Sequence, residues 1–151
     1  MNGFCAAYWN ERLHREIPAT QLLKLTVEEV SPDKISLSSP LEPNLNGHGT
    51  GFAGSIYTIG ITTGWTYLNA WERELGLNAK IVALDAAIRY SKPITDTIHA
   101  NNESSISERA YLWPELLTNK KKFTERISIL IGDSKVTAAS KLDILFHISK
   151  R

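Results

Sequence analysis

The chain has 151 residues, 17 Lys plus Arg against 16 Asp plus Glu, one Cys and 42% apolar residues, the composition of one ordinary globular domain. A net charge of +1 with both signs interleaved gives no broad field for a phosphate backbone, which argues against a nucleic-acid partner. Cys5 alone forms no intrachain disulfide, the four scattered His lack zinc-ligand spacing, no apolar run reaches membrane-span length, and the first residues do not read as a signal peptide; the expectation is a cytoplasmic domain without metal, cofactor or membrane contact.

Residues 9–17 carry mixed charge with Leu13 and Ile17 four apart, which predicts a short amphipathic helix ending before Pro18. From Leu23 the period changes to two: Leu23, Leu25 and Val27 alternate with more polar residues, as do Ile35, Leu37 and Ser39 after the Ser31-Pro32-Asp33 turn, predicting a β-hairpin. Pro40 and Pro43 stop its second strand. Residues 44–55 hold too many glycines for a regular element and read as an irregular loop with a tight backbone path.

Residues 54–75 then predict one long helix that stops at Gly76. A glycine inside a helix costs about 1 kcal/mol against alanine, so Gly60 and Gly64 imply close packing on that face, as from a wrapping sheet. Residues 80–94 predict a long strand closed by Pro93, with Val82, Leu84, Ala86, Ile88 and Tyr90 on one face and Ile81, Ala83, Asp85, Ala87 and Arg89 on the other. A polar strand over 97–104 follows. Ser105-Ile106-Ser107-Glu108 has the form of a capping box opening a helix that runs to Pro114 or a little beyond. Lys120-Lys121-Lys122 reads as a solvated turn. Two final strands place Ile127, Ile129 and Ile131 on one face, and Leu142, Ile144, Phe146 and Ile148 on another. A single long helix among antiparallel strands excludes a doubly wound fold and predicts an α+β domain spanning 1–151, with the helix in the curve of one sheet.

Gly49-Thr50-Gly51-Phe52-Ala53-Gly54 matches the G-x-G-x-x-G dinucleotide fingerprint, but Pro40, Pro43 and Asn44-Leu45-Asn46 occupy the place where that site needs a buried strand. No P-loop or G-x-S-x-G nucleophile elbow is present. What survives is the helix start: unpaired amides at Ala53, Gly54 or Ser55 and the positive end of a helix dipole are suited to a developing oxyanion, worth roughly 3–4 kcal/mol per well-placed donor. The same residues also read as a tight connection capped by Ser55. Asp85, in an apolar strand between Ala83 and Ala87, faces either a substrate and a water or a structural partner such as Arg89. Asn44, Asn46 and His48 suit either a substrate or their own turn.

The runs Pro40-Leu41-Glu42-Pro43-Asn44-Leu45-Asn46, Gly49-Thr50-Gly51-Phe52-Ala53-Gly54-Ser55-Ile56-Tyr57, Gly64-Trp65 and Ile88-Arg89-Tyr90-Ser91-Lys92-Pro93 resemble the thioesterase-like hotdog domain found at the C-terminus of a bacterial acetyltransferase. The resemblance covers roughly Ile17 to Ile148. It implies a hotdog fold, one long helix gripped by a curved, mainly antiparallel sheet of about five to six strands, paired edge to edge as a dimer or tetramer with a tunnel at the interface. It further implies hydrolysis or handling of acyl-CoA or acyl-carrier-protein thioesters in fatty-acid metabolism; at 151 residues the expectation is this domain without the acetyltransferase. Phenylacetyl-type hotdog thioesterases begin the helix with His-Gly-Gly and carry an acidic residue about nine positions later. Here Phe52-Ala53-Gly54 and Ile61-Thr62 stand at those places. The expected site is therefore Gly54 as amide donor, Asn46 and His48 holding the thioester, and Asp85 as general base or nucleophile. Thr50, Phe52, Ser55 and Arg89 are expected to contact substrate, Arg89 with Lys92 toward the phosphates of CoA. The alternative expectation is a non-catalytic module that only binds acyl thioesters.

Overall fold

The computed structural model describes residues 2–151. Helix α1 (Ala6–Glu16) and the short α2 (Ala19–Leu22) precede the hairpin β1 (Thr26–Val30) and β2 (Ile35–Ser39). The long helix α3 (Ala53–Glu74), strands β3 (Ala79–Tyr90) and β4 (Ile98–Asn102), helices α4 (Ser107–Ala110) and α5 (Trp113–Lys120), and strands β5 (Lys122–Gly132) and β6 (Ser140–Lys150) complete the chain. The six strands form one antiparallel sheet in the order β1-β2-β4-β5-β6-β3, curved around α3. This is the α+β hotdog architecture that the sequence implies.

The 22 residues of α3 span about 33 Å, and most of them are buried. Gly60 and Gly64 show why: a Cβ at Gly60 would stand 2.7 Å from Leu142 Cδ2 and 2.8 Å from Ile131 Cδ1, and one at Gly64 2.9 Å from Ile144 Cδ1. The inward side chains of β5 and β6 thus reach the helix backbone itself. Ile129, Ile131, Leu142, Ile144, Phe146 and Ile148 are completely buried, on the faces that the alternation predicts.

Several local expectations change. Residues 19–22 are helical and Lys24 takes a left-handed φ of 52°, so the first strand begins only at Thr26. Ser105 Oγ accepts the Ser107 amide, not that of Glu108, so the predicted capping box does not form. The helix predicted to end near Pro114 is two short ones, and Pro114 sits in the first turn of α5, where its missing N–H has no helical partner to lose. In β3, Ala83 pairs with Phe146 and Asp85 with Leu145, so Leu84 is an extra residue, a β-bulge. The bulge corrects the predicted faces. Ile81, Ala83, Ala86 and Ile88 share the inner face with Phe146 and Ile144, whereas Asp85, Ala87 and Arg89 lie on the outer face, opposite Leu145, Asp143 and Lys141.

Candidate active site

The loop before α3 is built by asparagines. Asn44 is buried; its side-chain amide donates to Pro40 O (2.8 Å), Ser39 Oγ (2.8 Å) and Leu23 O (3.3 Å), while its main-chain carbonyl accepts the Phe52 amide at 2.7 Å. Asn46 closes the next turn: its Oδ1 accepts the amides of His48 (2.8 Å) and Thr50 (3.1 Å), and its Nδ2 donates to Thr50 Oγ1 (2.8 Å) and Gly51 O (3.3 Å). The Asn46 side chain is thus occupied within its own loop. His48 is exposed at the loop tip, beside Gly49 with its left-handed φ of 77°.

The loop delivers the chain to α3 through Phe52, an extended residue that makes no side-chain cap. Among the described residues no acceptor receives the amides of Ala53, Gly54 or Ser55; the first helical bond is Ile56 N–H to Phe52 O at 3.0 Å. Ser55 is buried without capping the helix, which removes the structural alternative for that residue. Three orphan donors at the positive end of a 22-residue helix are what an anionic oxygen needs.

Two recesses flank this helix start. On the β3 side a cavity of about 280 Å³ is bounded by Asn46, Gly51, Ala53, Tyr90 and Lys92. On the other side a crevice of about 350 Å³ lies between Leu22, Leu23, Phe52 and Gly54. The Phe52 ring, half exposed, lies across Gly54: a Cβ there would come within 2.6 Å of it. A larger groove of about 720 Å³ runs beside α5 and β5, remote from these amides, where Arg109 and Trp113 both hydrogen-bond the buried Glu125.

Tyr90 is the contributor that the sequence reading missed. It ends β3, and its hydroxyl donates to Ala53 O at 2.8 Å, tying the edge strand to the first residue of α3. Burial, with the neighbouring Tyr57, pushes its phenol above the ordinary value, so it remains a donor at neutral pH. Its signal was an aromatic on the inner face one strand-end before Pro93.

The structure gathers Thr50, Phe52, Gly54 and Ser55 with Asn46 around the helix start. It does not bring Asp85 or Arg89 to them from the same chain. Both are exposed on the outer face of β3, whereas α3 lies against the inner face. The premise that Asp85 shares a face with Ala83 is overturned by the bulge at Leu84, and with it the picture of a carboxylate aimed at the helix.

The fold recurs in solved structures. A crystal structure described as a putative thioesterase from Shewanella oneidensis is similar at 26% identity with a TM-score of 0.81, over 97% of this chain and 97% of that one. A protein of unknown function from Chlorobaculum tepidum TLS gives a TM-score of 0.88 at 20% identity, over 97% of this chain and 94% of that one. A Pseudomonas aeruginosa protein described as a probable thioesterase gives 0.84 at 15% identity, over 97% of both chains. At the sequence level residues 6–142, well over half of the chain, match the family described as putative thioesterase (yiiD_Cterm), and the chain belongs to that family.

Proposed function

We propose that this chain acts on acyl thioesters of coenzyme A or of an acyl carrier protein, with the thioester carbonyl oxygen held by the amides of Gly54 and Ser55. The observation that carries the reading is the start of α3: unpaired amides at a helix dipole, between a cavity bounded by Ala53 and a crevice lined by Gly54 and Ser55, in a chain of a thioesterase family. Water adds to the carbonyl carbon while a second water takes its proton, negative charge develops on the oxygen facing the amides, and collapse breaks the C–S bond; the departing thiolate takes up that proton, leaving the free acid and the thiol. Asn46 acts by fixing the loop, and Thr50 with it; Phe52 and the crevice by Leu22 offer apolar contact to the acyl chain. Lys92, on the cavity wall, and His48, exposed at the loop tip, are assigned to the polar end of the substrate. A second copy of the chain, paired at the sheet edge, closes the cavity.

Asp85 stands outside this mechanism, because its side chain leaves the far face of the sheet. In a panel of acyl-CoA thioesters, Asp85→Asn is expected to keep kcat within about threefold of wild type at protein concentrations where the assembly is intact. Gly54→Pro deletes one amide in the first helical turn, and Gly54→Ala sets the same Cβ against the Phe52 ring while keeping the amide; kcat of the proline variant is expected to fall about 100-fold or more below that of the alanine variant, with the helical circular dichroism retained in both. The reverse pattern would return Asp85 to the chemistry and remove the amide.

One observation favours a second reading. Among the described residues no carboxylate or imidazole lines the cavity by Tyr90. A binding module without catalysis would take up a non-hydrolysable acyl-CoA analogue yet turn over no thioester of any chain length.

A further inference from the structure

Strand β5 is paired with β6 from Lys122 to Ile131, but with β4 only from Ile129 to Gly132. Past that point the Glu103 amide still reaches Ser128 O (2.9 Å), and the chain then turns away into α4. The Lys150 amide donates to Lys121 O, so by alternation Phe123, Glu125 and Ile127 bond β6, while the main-chain groups of Lys122, Thr124 and Arg126 face the side that β4 has left. One of these groups is in use: Arg109 Nη2 donates to Arg126 O at 3.3 Å. No strand of the described residues pairs with this half of the edge, which leaves a template for one.

The open half of β5 borders the groove of about 720 Å³, and α5 forms the other wall. Leu112, Leu116 and Lys120, spaced four apart, make one stripe of that wall; Leu112 is 55% exposed, whereas Trp113 and Leu117 on the neighbouring face are buried. A second recess of about 460 Å³, reaching Ser104 and Ser128, continues along the same edge, and Arg109 and Glu125 bound both. The rim is cationic. Lys122 and Arg126 stand on the outer face of β5 on either side of Thr124, and His147 lies opposite Thr124 on β6. Lys120, Lys122 and Arg126 make no ion pair among the described residues. Among the described residues Glu125 is the one carboxylate bounding either recess, and both its oxygens are engaged, Oε1 by Arg109 Nε at 2.5 Å and Oε2 by Trp113 Nε1 at 3.2 Å.

Backbone, apolar wall and charge each select a different part of one ligand. A strand laid antiparallel beside β5 exchanges two main-chain bonds with Thr124; its residue opposite Thr124 stands on the outer face among Lys122, Arg126 and His147, and the residues before and after it stand on the inner face, toward Leu112, Leu116 and Phe123. A carboxylate suits the first position and apolar side chains suit the other two. We propose that the groove between α5 and the open half of β5 takes up an extended acidic segment of a partner protein, carboxylate and apolar residues alternating, as an added strand in the place that β4 has left. An acyl anion would cover the leucines and meet the lysines, but would leave the amide and carbonyl of Thr124 unpaired. The groove is remote from the amides of Gly54 and Ser55, so this docking stands or falls apart from the functional reading above.

The test is fluorescence anisotropy on the intact chain with labelled peptides of about eight residues, long enough to span the open edge at about 3.3 Å per residue, alternating Asp with Leu, Val or Phe. Saturable binding below about 100 μM is expected for at least one of them, weakening with salt. Lys in place of Asp, or N-methylation of the Asp amides that face β5, is expected to weaken it about tenfold or more, and N-methylation of the apolar residues' amides less than about threefold. Thr124→Pro deletes an outward amide that bonds nothing within the chain, and Thr124→Val keeps it; the proline variant is expected to bind about tenfold more weakly than the valine variant at an equal urea midpoint. Lys122→Glu with Arg126→Glu is expected to weaken binding by a similar factor. No peptide binding below about 1 mM, or indifference to both the N-methylation pattern and the Thr124→Pro change, overturns the added strand. Two other results also overturn it by assigning the groove elsewhere. Decanoate that displaces nothing at the Thr124 amide yet shifts the Leu112 and Leu116 methyl resonances, with no peptide bound, would make it an acyl-anion site. Thr124 and Arg126 amides that shift with the concentration of the unliganded chain would make its occupant a second copy.

Discussion

Gly60 and Gly64 are where the sheet touches the backbone of α3, and their replacement measures that contact. Alanine is the better helix former by about 1 kcal/mol, but its Cβ would enter the space of Leu142 and Ile131 at one site and of Ile144 at the other. Overpacking of this kind costs about 1–3 kcal/mol, so Gly60→Ala is expected to lower the urea midpoint despite its helix propensity. A raised midpoint would mean that the sheet yields easily. Asp133, buried at the β5–β6 turn, accepts the amides of Thr95 (2.9 Å), Lys135 (2.9 Å) and Val136 (3.0 Å), and these bonds, the Thr95 amide foremost, hold its carboxyl below the ordinary value. Its pKa is depressed by folding, so its stabilisation is complete above the ordinary carboxylate range near pH 4 and is lost as pH falls through the lower folded value. Asp133→Ala is expected to cost about 1–3 kcal/mol at pH 7 and to flatten the acid-induced fall in stability below about pH 4, read from urea melts at successive pH values. The two glycines were legible because a small residue inside a helix has few explanations. The Tyr90 tether was not, because a hydrogen bond to Ala53 across 37 positions leaves no local pattern.

At the level of elements, strand period and helix period carried the architecture: α3 and the inner faces of β5 and β6 lie where alternation puts them. What periodicity cannot reveal is one residue too many. Leu84 is chemically ordinary, and only its pairing against β6 marks it as a bulge, yet it moves Asp85 and Arg89 to the opposite face from Ala83. The capping box failed for a related reason: Ser105 had a nearer acceptor role with the Ser107 amide, and its own hydroxyl donates to Asp33 Oδ1 at 2.7 Å. The β3 edge gives a prediction at this scale. The Ser91 amide donates to Ala139 O, so by alternation Ala87 and Arg89 bond β6 and the amides of Ala86 and Ile88 face the free edge; in hydrogen exchange those two should be unprotected in dilute protein and become protected as the second copy of the proposed assembly binds at higher concentration, while Ala87 and Arg89 change little. Equal protection of all four at every concentration would contradict the pairing.

For the whole molecule, the fold positions one helix start beside one sheet edge, and the candidate site lies where the two meet. Curvature of the sheet around α3 buries the middle of the helix and leaves its first turn open; the asparagine-stapled loop keeps that turn from being capped; Tyr90 fixes the edge strand to it. The proposed function sets the thioester oxygen on the amides of Gly54 and Ser55. It is tested most directly by titrating a non-hydrolysable acyl-CoA analogue into ¹⁵N-labelled protein and following the amide resonances. Gly54 and Ser55 are expected to show large, saturable downfield shifts that track occupancy. Saturable binding with those two amides unmoved, and the shifts gathered instead around the groove beside α5 and β5, would contradict it.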